Sequence, residues 1–250
     1  MLDSYYNHLA PYYKYIYKDW ESSLQRQARI LDAVIREYFG EKVHHILDAA
    51  SGIGTQSIGL AQLGYKVTAS DISPGELDQA RLEAEKRNLQ IEFKVADMRH
   101  LSPAFQQKFD LVIACDNAIP HLLSDVEITK AFWEFYQCTT PEGGCLITVR
   151  DYETVERSGK RLNPRTVHET DEGKLLLFDL WEFDGDFYDF TTYAVLDKGD
   201  DGPETQVIRG GRYYCVTIPT LERLMIQAGF KKVVTLRERF FQPLILGMKV

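Results

Sequence analysis

The sequence predicts an α/β fold: a doubly wound, mostly parallel sheet of seven strands that carries an antiparallel hairpin insertion. Three observations predict it. From Val43 to Arg150, short apolar runs and helical patterns alternate five times, the rhythm of βαβ units. Phe109 to Ala114 is almost continuously apolar, as expected of a strand covered on both faces. After Arg150 the rhythm breaks into extended pieces separated by Asp-Gly and Gly-Asp turns, which are hairpin signals.

Each element has its own warrant. Six of the 14 tyrosines (Tyr5, Tyr6, Tyr12, Tyr13, Tyr15, Tyr17) fall before Trp20. Such rings suit both a helical lid packed on the body and the wall of a ligand cavity. Ser23 to Phe39 places Leu24, Ala28, Leu31, Ile35 and Phe39 at helical spacing and stops at Gly40. Val43 to Asp48 reads as the first core strand, Thr55 to Leu63 as a helix, and Tyr65 to Ser70 as a second strand ending in Asp71. Ser73 and Glu76 have capping-box spacing with Pro74 at the first helical position, so a helix runs from there to about Asn88. Ile91 to Val95 is a third strand, ending at Ala96-Asp97-Met98, and Phe109 to Ala114 the fourth. Ser124 and Glu127 repeat the capping-box spacing ahead of a helix to Cys138; Pro141 to Gly144 is a turn, and Cys145 to Val149 a fifth strand. Lys174–Phe183, Phe187–Leu196 and Thr205–Val216 are the extended pieces. Pro219 to Ala228 is the last helix, and Lys231–Leu236 and Pro243–Val250 are the closing strands.

Composition excludes several classes. A formal charge of −8 argues against a dedicated nucleic-acid binder, which needs a basic face. No apolar run approaches the ~20 residues of a membrane span, and the N-terminus lacks the basic and apolar regions of a secretory signal. Cys115, Cys138, Cys145 and Cys215 are scattered without metal-ligand spacing, so reduced thiols in a cytoplasmic protein and no bound metal are expected.

In a doubly wound sheet the ligand sits beyond the carboxyl ends of the strands. Those ends carry Asp48, Asp71, Asp97, Cys115-Asp116-Asn117 and Arg150. Each alone suits a turn; together they outline one crevice. The stretch Ile46 to Gly54 is a strand entering a glycine turn and then a helix N-terminus, a cradle for a polar or anionic group. Asp71 follows Gly54 at close to the ~20-residue spacing at which an acid reaches a ribose diol, and it would repel a 2′-phosphate. Ser57 stands where a dinucleotide fingerprint wants glycine or alanine, and the loop lacks the Lys-Ser/Thr of a P-loop.

These residues resemble the class I S-adenosylmethionine-dependent methyltransferases. Asp48-Ala-Ala-Ser-Gly-Ile-Gly54 is similar to their first motif, Asp71 to the ribose-binding acid, Ala96-Asp97-Met98 to the adenine-contacting motif, and Phe109–Ala114 and Pro141–Gly144 to their fourth strand and the turn before the fifth. Within that superfamily the chain resembles the glycine and glycine/sarcosine N-methyltransferases: Asp116-Asn117-Ala-Ile-Pro-His121-Leu, Arg150 with Tyr152, and Tyr213-Tyr214 all have counterparts there. The resemblance implies a Rossmann-like methyltransferase fold and S-adenosylmethionine as cofactor. The cofactor would be held by Tyr13, Tyr17, Arg26, Asp48, Ala50, Ser51, Gly52, Gly54, Asp71, Ile72, Asp97, Met98 and Cys115. It further implies a helical lid over 1–40, a cofactor-binding domain over 41–154 and 217–250, and a β insertion over 155–216 covering the substrate pocket.

The expected chemistry is in-line methyl transfer to a small amine, in which holding the nitrogen collinear with the methyl and sulfur supplies much of the acceleration. Arg150 clamps a substrate carboxylate while Asn117 and Tyr214 orient the amine. The chain departs from the family pattern at Asp151, an acid beside the proposed carboxylate clamp, where the family has asparagine, and in having no tyrosine between Tyr152 and Tyr188. Three other readings stay open: methyl transfer to the O or N of another small metabolite, a cofactor-binding regulatory protein without turnover, and, more remotely, an NAD-dependent oxidoreductase. Homo-oligomerisation is also left open.

Overall fold

The computed structural model describes residues 2–199 and 202–250. Helix α1 (Leu2–Tyr13) and a single 3-10 turn (Lys14–Ile16) lead into α2 (Trp20–Phe39). The Asp19 carboxylate caps α2 by accepting from the Ser22 N–H at 3.0 Å, and Gly40 ends it with φ +78°. Its buried face carries the predicted Leu24, Ala28, Leu31, Ile35 and Phe39.

The alternating body follows: β1 (His45–Asp48), α3 (Thr55–Gln62), β2 (Lys66–Asp71), α4 (Pro74–Lys86), β3 (Ile91–Val95), the short α5 (Leu101–Ala104), β4 (Phe109–Ala114), α6 (Asp125–Cys138) and β5 (Thr139–Thr148). Then come the long strands β6 (Lys160–Thr170), β7 (Gly173–Asp184), β8 (Phe187–Asp197) and β9 (Pro203–Tyr214). Helix α7 (Ile218–Gln227) and strands β10 (Lys231–Leu236) and β11 (Leu244–Met248) close the chain.

The seven-stranded sheet has the order β10-β11-β5-β4-β1-β2-β3. β1 pairs parallel with both β2 and β4, and only β11 runs against its neighbours β5 and β10. The strand order reverses between β1 and β4, so the ligand crevice of a doubly wound sheet opens at their carboxyl ends. The other four strands form a separate antiparallel meander in the order β6-β7-β8-β9. Helix α1 packs on both α4 and β9 and so ties this second sheet across the crevice of the first.

Three local expectations change. Both capping boxes are half formed. The Ser73 and Ser124 hydroxyls accept from the Glu76 and Glu127 N–H groups at 3.2 and 3.3 Å. The Ser73 N–H, however, donates to Asp71 Oδ1 at 2.9 Å, and the Glu127 carboxylate turns to Arg99 at 2.5 Å. The expected turn at Pro141 to Gly144 is absorbed into β5 as a bulge, with Glu142 at φ +61° and a register shift against β4. Strand β6 gives no period-2 signal, because most of its residues are polar and Pro164 sits in it; as an edge strand it tolerates the proline.

Candidate active site

The first loop is shaped from beneath. Asp48, at the end of β1, is fully buried, and its Oδ2 accepts from the Ser57 hydroxyl at 2.7 Å. Burial pushes its carboxyl up to about 7. Ser57 therefore supports the strand end at the position where a dinucleotide loop would use glycine. Gly54 takes φ +87° as the N-cap of α3, and a Cβ there would stand 3.1 Å from Ile58 and 3.2 Å from Ala80. Asp48 and Gly54 thus shape the floor and do not face the ligand space.

At the end of β2, Asp71 receives the Gly52 N–H on Oδ2 and the Ser73 N–H on Oδ1, both at 2.9 Å. Each carboxylate oxygen keeps a free lone pair for a ligand hydroxyl. At the end of β3, burial opposes ionisation of Asp97, but the bonds from Arg99 outweigh it and hold that carboxyl below its usual range. After β4, Asp116 and Asn117 take consecutive left-handed conformations, φ +53° and +68°. The Asp116 carboxylate accepts from Tyr17 Oη at 3.1 Å and from Gln242 at 3.3 Å.

These strand ends enclose a cavity of about 300 Å³. It gathers Tyr13 and Tyr17 from the N-terminal segment, Ala50, Ser51 and Gly52 from the first loop, and Asp71 and Ile72 from the second. Asp97 and Met98 line it from the third loop and Cys115 from the fourth. Arg26 is not brought there: it is exposed on α2 and donates to its neighbour Ser23 Oγ at 3.2 Å. The inward face of α2 carries Gln27 instead, which accepts from the cavity residue Gln56 at 2.7 Å. The chamber fits a nucleoside-bearing ligand. Asp71 is poised for a diol, glycine backbone forms the floor, and Ser51 Oγ and Glu76 Oε1 on the wall are buried polar atoms without a protein partner.

Beyond the cavity the aromatic side chains pack as a cluster under the second sheet. His121 lines the boundary; its Nδ1 faces the Arg212 carbonyl at 2.9 Å, so Nδ1 carries the proton and Nε2 accepts from Tyr6 Oη at 2.6 Å. Burial pushes the ring down to about 4, which keeps it neutral at pH 7. Tyr213 stacks on His121 at 3.9 Å between ring centroids and lies 5.2 Å from Tyr188. The Tyr188 hydroxyl accepts from Arg150 Nη1 at 2.6 Å, and the guanidinium sits 4.6 Å over the Trp181 ring. Arg150 does not line the cavity itself; the contacts from His121 reach it through Tyr213 and Tyr188. Among the described residues it has no carboxylate partner, unlike Arg165, which pairs with buried Asp179 at 2.6 Å.

Asn117 is buried with both ends of its amide engaged: Nδ2 donates to Tyr152 Oη at 2.7 Å, and Oδ1 accepts the Arg150 N–H at 2.9 Å. It positions Arg150 and Tyr152 and does not line the cavity. Tyr214 is not brought to the site either. Neighbouring side chains on a strand point to opposite faces, and Tyr214 donates to Asp125 at 3.1 Å while Tyr213 enters the aromatic cluster. Asp151, expected to oppose a carboxylate, turns out toward Arg237. Sequence reasoning gave Glu76 only a capping role, named Tyr6 only as one of six N-terminal rings, and left Gln56 unassigned; its signal was helical phase relative to the glycine loop.

Comparison with known proteins follows this geometry. The family described as "Methyltransferase domain" matches residues 46–143. The glycine/sarcosine N-methyltransferase of Halorhodospira halochloris is 29% identical over 137 residues, 55% of this chain and 50% of that protein. The enzyme of the same name from Parasynechococcus marenigrum is 28% identical over 56% of this chain and 49% of its own length. The chain thus spans about half the length of the curated relatives it matches. Among solved structures, Streptomyces venezuelae DesVI superposes with a TM-score of 0.77 at 17% identity, covering 91% of this chain and 92% of that one. CalS10 of Micromonospora echinaspora, an amino pentose methyltransferase solved with bound S-adenosylmethionine, superposes with a TM-score of 0.77 at 16% identity and the same coverage. At these identities the superpositions establish a shared fold.

Proposed function

The chain carries the methyltransferase domain and fold of the class I S-adenosylmethionine-dependent family, and from that premise we propose that it transfers a methyl group from S-adenosylmethionine to the amine of a small carboxylate-bearing molecule such as glycine or sarcosine. One observation carries the choice of acceptor: Arg150 is part-buried against an aromatic cluster with no carboxylate partner among the described residues. A cation largely withdrawn from water is costly unless it is paired. A ligand carboxylate is the partner that its planar guanidinium suits best. The partial likeness to glycine/sarcosine N-methyltransferases supports the same acceptor class.

In this reading the cofactor occupies the 300 Å³ cavity, with the Asp71 carboxylate toward its ribose and Asp97 and Met98 beside its base. The cofactor supplies an activated methyl group on sulfur; the protein supplies position. Arg150 anchors the acceptor carboxylate, and Asn117 and Tyr152 fix where Arg150 stands. His121, neutral and bonded to Tyr6, presents hydroxyl and ring edges at the junction of the two spaces and brings no positive charge to repel an incoming amine. The amine must arrive unprotonated to attack, and its proton leaves after transfer; no strong base is needed for that step.

Incubation with methyl-labelled cofactor and a panel of glycine, sarcosine, an amino sugar and a phenol tests the proposal. Label is expected on the amino acids. Label only on the sugar or the phenol moves the acceptor class, and cofactor binding with no transfer to any of them favours a regulatory protein.

A further inference from the structure

Glu76 has no role in the methyl transfer proposed for this site. It sits in the first turn of α4, is 2% exposed, and lines the cavity. Sequence spacing assigns its carboxyl to cap Ser73, but Asp71 takes the Ser73 N–H, so the Glu76 carboxyl is released into the cavity wall. One oxygen, Oε1, is buried without any hydrogen-bond partner, and Oε2 lies 3.1 Å from where a Gly52 Cβ would stand. A larger residue at 52 would push this carboxyl away from the loop.

The surroundings define what the free oxygen is suited to meet. Asp71 from β2 and Asp116 from the end of β4 are the charged groups acting on Glu76, and Tyr6 and Tyr13 of α1 feel its charge in turn. The cationic side chain on this wall, Arg99, is committed to Asp97 and Glu127. The cavity therefore presents four acids, Asp71, Glu76, Asp97 and Asp116, with no uncommitted cation lining it. Such a wall favours a ligand with net positive charge.

We propose that Glu76 is a cation-pairing residue of the cofactor site, its free carboxyl oxygen meeting a positive centre of S-adenosylmethionine, the sulfonium or the α-ammonium. This rests on the S-adenosylmethionine reading above. In the chain alone, burial beside Asp71 and Asp116 holds the carboxyl well above its usual range. A cation alongside lowers it, so binding shifts this group toward its charged form and releases protons to solvent. When the sulfonium is the partner, the acid wall favours the charged cofactor over the neutral thioether left after transfer, which promotes product release.

Calorimetry on the full chain with three probes tests this: S-adenosylmethionine, S-adenosylhomocysteine, which lacks the sulfonium, and methylthioadenosine, which lacks both positive centres. Glu76→Gln and Glu76→Met are compared with wild type, and melting curves confirm folding. Loss of one close charge pairing, a hydrogen bond for the ammonium or a Coulombic contact for the sulfonium, predicts weakening of S-adenosylmethionine by about tenfold or more in both variants. A sulfonium partner leaves S-adenosylhomocysteine unchanged; an ammonium partner weakens it equally; both leave methylthioadenosine unchanged. Wild type also releases protons on binding, read from buffers of different ionisation heat, and the variants release fewer. Equal weakening of methylthioadenosine, or no change with any probe, overturns the proposal. Failure of wild type to bind any of the three overturns the cofactor reading instead.

Discussion

Replacing Arg150 separates an arginine that waits for a ligand from one that holds the fold together. Arg150→Lys keeps the charge but loses the planar fork, the bond to Tyr188 and half of a bidentate grip on a carboxylate. One charge-assisted hydrogen bond is worth roughly 1.5–3 kcal/mol, which raises the acceptor KM about 10- to 150-fold. Cofactor affinity should stay within about twofold, because Arg150 does not line the cofactor cavity. Arg150→Met removes a part-buried charge that has no carboxylate partner among the described residues, so it breaks no pair, and its melting temperature should fall by a few degrees at most. Arg165→Met is the control. It strands Asp179, which is 1% exposed in its side chain, and breaking such a pair costs about 3–5 kcal/mol. For a chain of this size that is on the order of 6–20 °C. Steady-state kinetics and thermal melts provide the assay. An Arg150→Met variant that melts as low as Arg165→Met, or an Arg150→Lys variant with unaltered acceptor KM, would refute the reasoning.

Other outcomes follow from the same geometry. Asp71→Asn should weaken S-adenosylmethionine roughly 10- to 100-fold by calorimetry, since the carboxylate both accepts two backbone N–H groups and faces the ribose position. Tyr213→Phe should change acceptor kinetics while Tyr214→Phe leaves them near wild type, because only Tyr213 reaches the His121 stack; equal effects would contradict the strand phase. Folded-state depression of the His121 pKa to about 4 means that the unfolded chain binds the extra proton first. Stability from this group is therefore complete above about pH 6.5 and is lost as pH falls toward 4, so His121→Phe should flatten the acid limb of a denaturation series. An unchanged acid limb would show that the ring is not held neutral.

Much of the fold was legible because its strands are strongly patterned. The third and fourth strands, Ile91–Val95 and Phe109–Ala114, and the closing strand Lys231–Leu236 appear with the expected bounds, since apolar runs between turn residues leave little freedom. Strand β6 was invisible because an edge strand needs no buried face. The bulge in β5 was read as a turn, because Gly143 and Gly144 signal both equally well. At the site, residues on strand ends and their loops were placed by topology alone, which is why Asp71, Asp97 and the glycine loop meet as expected. Two of the misplacements, Arg26 and Tyr214, are each one position out of phase with an inward residue, Gln27 and Tyr213. Phase within a helix or strand depends on which face finds a partner, and the second sheet that sets it for Tyr213 is distant in sequence. Glu76 was hidden by a local rule: a capping box explains the residue fully until Asp71 takes the serine N–H.

The central claim is that Arg150 selects an acceptor by its carboxylate. The most direct measurement is the kcat/KM of wild type for glycine against glycinamide, whose amine is retained and whose carboxylate is replaced by a neutral amide. The account predicts that glycinamide falls by about 100-fold or more, as the loss of a bidentate carboxylate grip by a part-buried arginine requires, with the gap narrowing in Arg150→Met. Equal turnover of the two, or a gap that survives removal of Arg150, would contradict it.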